Sequence, residues 1–397
     1  MIRRHGLFLL SCLLAFTGGH MFNYTVILYL QETVGSELLS GLGFGLAFGS
    51  SIVFGWFAGA LCDRVAPGRV IHGAQALFLV GLGCLWWAEH GGVPSLRIAF
   101  ALLGAFAGGL AWSFAGPARL ATLGQIAATA ELRPLTILFN LQVLVGFGLA
   151  PLVIGLIRSR SGWAAVEAVA AALFVAASAL LLGLRTYATA SAGTGVRADI
   201  AEGFAAVGAR PLLRQLMLAA VIAYALTGPL QILLPRLARG PLGLTEAQRG
   251  AYLGLLALSL IAGGVLALAL ARRLPHGRVI LGGIGAGGLL FAALASVRSP
   301  AASALLLACV GLLGGMVISL VVSGIQAQAP PAARGRVMAM YSIVSQVLPA
   351  LSGMAAGALL GHADVATAIT ACGLALAALA GTAALGLPVL RRYTGSA

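Results

Sequence analysis

The side chains able to do chemistry are few in this 397-residue chain, and most are uncharged and set in apolar runs. Phe16, His20 and Asn23 fall at helical spacing on one face, with Tyr24 beside them. Trp112 follows, then Asn140 and Gln142, then Tyr224, Thr227 and Gln231. Ser319, Ser323 and Gln326 come next, and after them Tyr341, Ser345 and Gln346. Amide, phenol, indole and imidazole groups hydrogen-bond and stack, so this set suits holding a solute better than breaking bonds. No cluster of His with Asp, Glu or Cys has ligand or nucleophile spacing, which argues against an enzyme and predicts neither metal nor cofactor. Gly283-x-Gly285-x-x-Gly288 has the form of a dinucleotide fingerprint, yet no carboxylate occurs between Ala247 and Ala363 to hold a ribose.

Fixed charge avoids the middle of the apolar runs. Glu32 and Glu37 close the first hairpin, Glu89 ends the third run, and Glu167 lies about one turn into the sixth. An interior without fixed charge suits neutral, amphipathic or aromatic solutes, because phosphorylated ones need Arg or Lys clamps. The titratable groups nearest the polar face are His20, Glu32 and Glu167. His20 reads either as a proton-responsive group or as a neutral ring donating to a helix carbonyl. Glu167 reads either as a proton site or as the partner of Arg158 or Arg160.

The elements that position these groups are helices crossing a bilayer. Hydrophobic residues make up 60% of the chain and charged ones 9%, far below the share of about 25% typical of soluble proteins. A span needs about 20 apolar residues. Spans are expected at 7–30, 38–61, 71–89, 95–117, 134–157, 163–184, 212–235, 247–271, 278–297, 301–326, 336–360 and 365–389. All 24 basic residues are Arg, and the formal charge is +14. They come in ones and twos at the ends of apolar runs, where they act as topology signals, and no basic face for nucleic acid is expected. With the N-terminus inside, seventeen Arg fall on inner loops and tails and seven on outer ones, which predicts both termini in the cytoplasm. The five cysteines lack metal or disulfide spacing and read as packing.

The longest polar stretch, Arg185 to Arg214, divides the chain. The expected domains are an N-terminal six-helix bundle over 1–188, a linker over 189–211 and a C-terminal six-helix bundle over 212–397. Within the linker, Asp199 to Val207 reads equally as a short helix on the inner membrane surface or as a solvated connection. The halves echo each other: Arg64-x-x-x-Gly68-Arg69-Val70-Ile71 recurs 209 positions later as Arg273-x-x-x-Gly277-Arg278-Val279-Ile280. A duplicated six-span unit leaves such a trace. Paired glycines, Gly104/Gly108 and Gly311/Gly315 among them, predict faces where helices approach closely.

The stretch Gly55-x-x-x-Gly59-x-x-x-Asp63-Arg64-x-x-x-Gly68-Arg69 resembles the loop signature of the major facilitator superfamily. Gly116-Pro117-Ala118-Arg119, Asn140, Gly146-x-x-x-Ala150-Pro151-x-x-x-Gly155 and Arg334-Gly335-Arg336-Val337-Met338 resemble its enterobactin and macrolide exporter branch. The resemblance implies an all-α fold of twelve transmembrane helices in two pseudo-symmetric bundles, in a cell's inner membrane. It also implies that Asp63 latches the inner side near Arg334 and Arg336, and that Pro151 bends span five. The span-four arginine that the family uses for proton coupling falls at Ala101 here.

The implied function is a secondary active transporter, an antiporter exporting a small amphipathic molecule such as a siderophore, drug or metabolite by alternating access. Its partners are the small-molecule substrate and the lipid bilayer, with proton coupling through His20, Glu32 or Glu167, and the chain is expected to be a monomer. The alternative is a lysophospholipid transporter or flippase of the same fold.

Overall fold

A computed structural model of the chain describes residues 2–91, 93–188, 196–270, 275–330 and 333–395. The described residues form helices and no strands: α1 (Ile2–Glu32), α2 (Glu37–Gly49), α3 (Ser51–Arg64), α4 (Pro67–His90), α5 (Pro94–Ile126), α6 (Thr129–Ala179), α7 (Val196–Gly208), α8 (Pro211–Tyr224), α9 (Thr227–Arg239), α10 (Glu246–Leu270), α11 (His276–Ala293), α12 (Pro300–Gln328), α13 (Arg334–Leu360), α14 (Val365–Gly386) and α15 (Pro388–Arg391).

Helix starts follow local chemistry. Ser36, Ser299 and Asp364 cap α2, α12 and α14 by accepting the amides of Leu39, Ala302 and Thr367. Pro67, Pro211 and Pro300 occupy first-turn positions where a missing N–H costs nothing. Ser50 breaks the second span into α2 and α3; its hydroxyl donates to the Leu46 carbonyl at 2.7 Å, a back-bond that bends helices. The seventh span divides likewise into α8 and α9.

Eleven helical stretches among the described residues are long and apolar enough to cross a membrane. One of them, Ala130–Ala179, holds two spans, because Gly162 at φ 73° and ψ −169° ends one helix and begins the next. Counted so, the twelve expected spans are present in an all-α, multi-pass membrane fold.

Packing divides the chain into two compact units: Met1–Gly193 with Thr245–Gly254, and Thr194–Leu244 with Leu255–Ala397. In the first, α1 packs along α6, α4 along α5, and α2 and α3 against α5. The start of α10 belongs to this unit, and glycines let it touch span five. A Cβ added to Gly250 would lie 2.4 Å from the Pro151 carbonyl oxygen, and one on Gly155 would lie 2.7 Å from that of Glu246. The Gly-Pro stretch of span five is thus a docking strip. In the second unit α11 packs on α12 and α14, and α13 on α8 and α9. Gly263 and Gly315 bring α10 and α12 together, each with room for no Cβ against the opposing backbone. Gly104 does the same against Gly81 in the first unit.

Helix α7 falls within the expected linker. It packs on α13, where a Cβ on Gly203 would meet the Met340 sulfur at 2.9 Å, while Phe204 points outward and is 60% exposed. Glu202 on this helix accepts from Arg336 at 2.9 Å.

Candidate functional site

In the first unit the polar face of α1 meets α5 and span five in an aromatic cluster. The Trp112 indole N–H donates to Asn23 Oδ1 at 3.2 Å. The His20 ring lies 5.0 Å from Trp112 and 5.3 Å from Phe147, and Tyr24 stacks on Phe147 at 5.9 Å. Phe16 lies parallel to Trp112 at 6.2 Å and edge-on to Phe139 at 5.2 Å. Gly19 makes this packing fit, since a Cβ there would stand 2.6 Å from the Trp112 ring. His20 holds a hydrogen bond to the Val143 backbone, the carbonyl contact that one sequence reading anticipated, while its Nε2 and the Asn23 amide nitrogen are buried without partners. Buried polar atoms are normally satisfied, and each exception requires an explanation.

Other sequence candidates fall elsewhere. Asn140 is exposed beside Ile137, Leu141 and Leu144 on α6 and does not join the cluster. Gln142 donates to the Leu9 carbonyl at 2.9 Å, a helix-packing bond, with its Oε1 left over. In the second unit the Tyr224 and Tyr341 hydroxyls share a hydrogen bond of 2.7 Å with their rings edge-on. Gln231 is buried with Oε1 unpartnered, Gln346 is half-buried and Gln326 is exposed.

At the end of α1 a four-charge cluster ties three helices of the first unit. Glu32 accepts from Arg158 of span five and, at 2.8 Å, from Arg249 of α10, while Glu246 pairs with both arginines. Arg158 also lies 4.0 Å over the Trp163 ring. Arg158 is therefore committed, and the expected pair with Glu167 is not formed. Glu167 is 5% exposed with both carboxyl oxygens unpartnered. Arg249 and Glu246 were hidden in the sequence among outer-loop charges; their i,i+3 spacing at a helix start was the available signal.

The inner end gives a second correction. Arg119 does not sit in a loop: α5 continues to Ile126, and this arginine is 1% exposed inside the fourth span, so a span does contain a fixed positive charge. At the signature loop, Gly68 donates its amide to Thr186 Oγ1 at 2.9 Å, and Arg64 and Arg69 are exposed. Gly55 is half-buried in α3, while the placements of Gly59 and of the Asp63 side chain lie outside the described residues. Arg334 is exposed, and Arg336 is engaged by Glu202.

Solved structures similar to this chain include transporters. A POT family transporter in complex with 5-aminolevulinic acid aligns at a TM-score of 0.76 with 12% identity, covering 98% of this chain and 96% of that one. A variant of the nucleoside transporter NupG gives 0.74 with 14% identity over 97% and 99%. A bacterial homolog of the human lysosomal transporter Spinster gives 0.74 with 14% identity over 98% and 97%. At such identities the likeness establishes the fold. No curated protein matches the chain in sequence. Residues 8–353, most of the chain, match the family described as Major Facilitator Superfamily, and the chain belongs to that family of membrane transporters.

Proposed function

We propose that the protein is a secondary active transporter that exports a small amphipathic molecule across a cell's inner membrane, both termini lying in the cytoplasm. The observation that carries this reading is the cluster of Trp112, Asn23, His20, Tyr24 and Phe147. Its rings offer stacking surface, and the unpartnered His20 Nε2 and Asn23 amide offer one acceptor or donor each, a combination that suits an aromatic or amphipathic solute. The span-five pattern Gly146-x-x-x-Ala150-Pro151-x-x-x-Gly155 adds its resemblance to exporters. Siderophores, macrolide-like drugs and hydrophobic metabolites fall within this chemistry. Alternating access is the mode of action, with Asp63 and its neighbours acting on the inner side and the chain working as a monomer.

Energy coupling by protons rests on His20, Glu32 and Glu167, and antiport is its expected form. His20→Ala then abolishes the dependence of transport on a pH gradient while leaving downhill exchange measurable.

The test is efflux from cells and uptake into inverted vesicles with a panel of aromatic amphiphiles, comparing wild type with Trp112→Ala. Accumulation lowered by wild type and restored by the variant is the expected result. Flux of no panel member in either preparation counts against export. The lipid-carrier alternative draws on the same fold; spin-labelled lysophospholipid moving between leaflets only when the protein is present decides for it.

A further inference from the structure

Arg119 is a permanent charge inside a membrane-spanning helix, and the described residues provide no carboxylate to balance it. Its guanidinium is 1% exposed. Nη1 donates to Ser11 Oγ and to Cys12 Sγ, both at 3.3 Å, and the Phe16 ring lies 5.8 Å away. All three partners are neutral. The Ser11 proton is itself given to the Ala177 carbonyl at 2.7 Å, so Ser11 can only accept from the arginine. Nη2 has no partner. An unpaired ion in a low-dielectric interior is destabilising, and ionisable groups inside spans mark functional sites by default.

The placement points along the aromatic face. Arg119 follows Trp112 by seven residues on α5, two helical turns or about 10 Å on the same side. Phe16 bridges them, parallel to Trp112 and beside the guanidinium. An apolar body against Phe16 and Trp112 would bring a terminal anion to the free Nη2. A guanidinium fork matches a carboxylate or phosphate better than any neutral group does.

We propose that Arg119, with Ser11 and Phe16 beside it, is a subsite for an oxyanion carried on an apolar cargo, so that the transported molecule is an amphipathic anion. This rests on the export reading above and narrows it, replacing the neutral solute expected from sequence. The subsite is closed in the conformation described, so an anion reaches it only when the surrounding helices part.

The test is equilibrium binding to the full-length purified protein, which does not require transport. Thermal unfolding in detergent is followed against 4-phenylbutyrate, phenyl phosphate and the neutral isostere 4-phenylbutyramide. At least one anion raises the wild-type midpoint where the amide does not, and Arg119→Gln weakens that anion by about tenfold or more. Equal stabilisation by acid and amide, no stabilisation by either anion, or an unchanged anion effect in Arg119→Gln overturns the assignment. The wild-type comparison stands even where the variant fails to fold. Anion binding that appears only in Asp63→Asn gives the counter-charge to that carboxylate and also overturns it. Intact anion binding without efflux would instead sink export and leave the subsite standing.

Discussion

The backbone amide of Gly68 donates to Thr186 Oγ1 at 2.9 Å, and 209 positions later the amide of Gly277 donates to the Tyr393 carbonyl at 2.8 Å. In each unit the glycine at the start of a helix is tied to the segment that follows the unit's last span. The duplication visible as Arg-x-x-x-Gly-Arg-Val-Ile therefore extends to the contact the motif makes. The copies differ in what receives the bond, a side chain in one and backbone in the other.

That difference sets an asymmetry. A Cβ on Gly277 would fall 1.7 Å from the Leu390 carbonyl oxygen, whereas on Gly68 it would meet the Thr186 hydroxyl at 2.9 Å. A side chain can rotate away and a packed backbone cannot. Gly277→Ala is expected to cost about 1–3 kcal/mol or more, and Gly68→Ala much less. Thermal unfolding of the two variants in detergent decides it, and equal losses would contradict the argument.

Glu32 and Glu246 are shared by the same two arginines, and the Glu32 side chain is only 8% exposed, against 30% for Glu246. Glu32→Gln leaves Arg158 and Arg249 with Glu246 as their remaining acid and is expected to destabilise by about 1–3 kcal/mol, the range for losing a charged hydrogen-bond partner at a buried site. Glu246→Gln is expected to cost clearly less. A smaller midpoint drop for Glu32→Gln than for Glu246→Gln would remove the cluster's central role.

Trp112→Phe keeps the ring and deletes the N–H donated to Asn23. Asn23 is 1% exposed and its amide nitrogen already lacks a partner, so its oxygen would be stranded as well. A loss of about 1–3 kcal/mol is expected, and Asn23→Leu in the same background should recover part of it. Additive losses in this double-mutant cycle would show that the two residues do not interact.

With Arg119 inside its helix, sixteen inner arginines still face seven outer ones, and that asymmetry predicts the topology. A cytoplasm-active reporter fused after Ala397 should give signal, and a periplasm-active reporter there should not. The reverse pattern would place the C-terminus outside.

Asp364 caps α14 from outside the span. The hydrogen bond from the Thr367 amide, with a second from its side chain, holds the carboxyl below its usual range. The folded value is depressed, so the cap's charge-dependent contribution is complete above the unfolded value of about 3.9 and is lost as pH falls through the lower folded value. Asp364→Asn keeps the cap but should flatten that acid limb when melting is followed between about pH 6 and pH 3.

The span architecture was legible because composition alone forbids a soluble chain and each span is separated by Arg, Gly or Pro. The grouping of Phe16, His20, Asn23 and Tyr24 was legible too, since helical spacing on α1 aligns them, and Trp112 stood out because few other polar groups occur in the spans. Arg119 was not. Its run Gly116-Pro117 looks like a helix end, but α5 carries Pro117 within it and continues for nine further residues. The pairing of Arg158 was equally hidden, because Glu32 lies 126 positions away and the choice between it and Glu167 is made by packing. That Asn140 stands apart from the aromatic cluster was not legible, because a single amide in a helix carries no sign of which face is covered.

Gly162 joins spans five and six through one residue, with Arg158 a turn before it and Glu167 a turn after. The corner has no slack, and Trp163 is clamped beneath the Arg158 guanidinium. Spans five and six therefore meet at a one-residue corner with no loop between them. Arg158, held by Glu32 and Glu246, and the buried carboxyl of Glu167 thus stand on the two sides of one corner, and a tag inserted there is expected to disturb both.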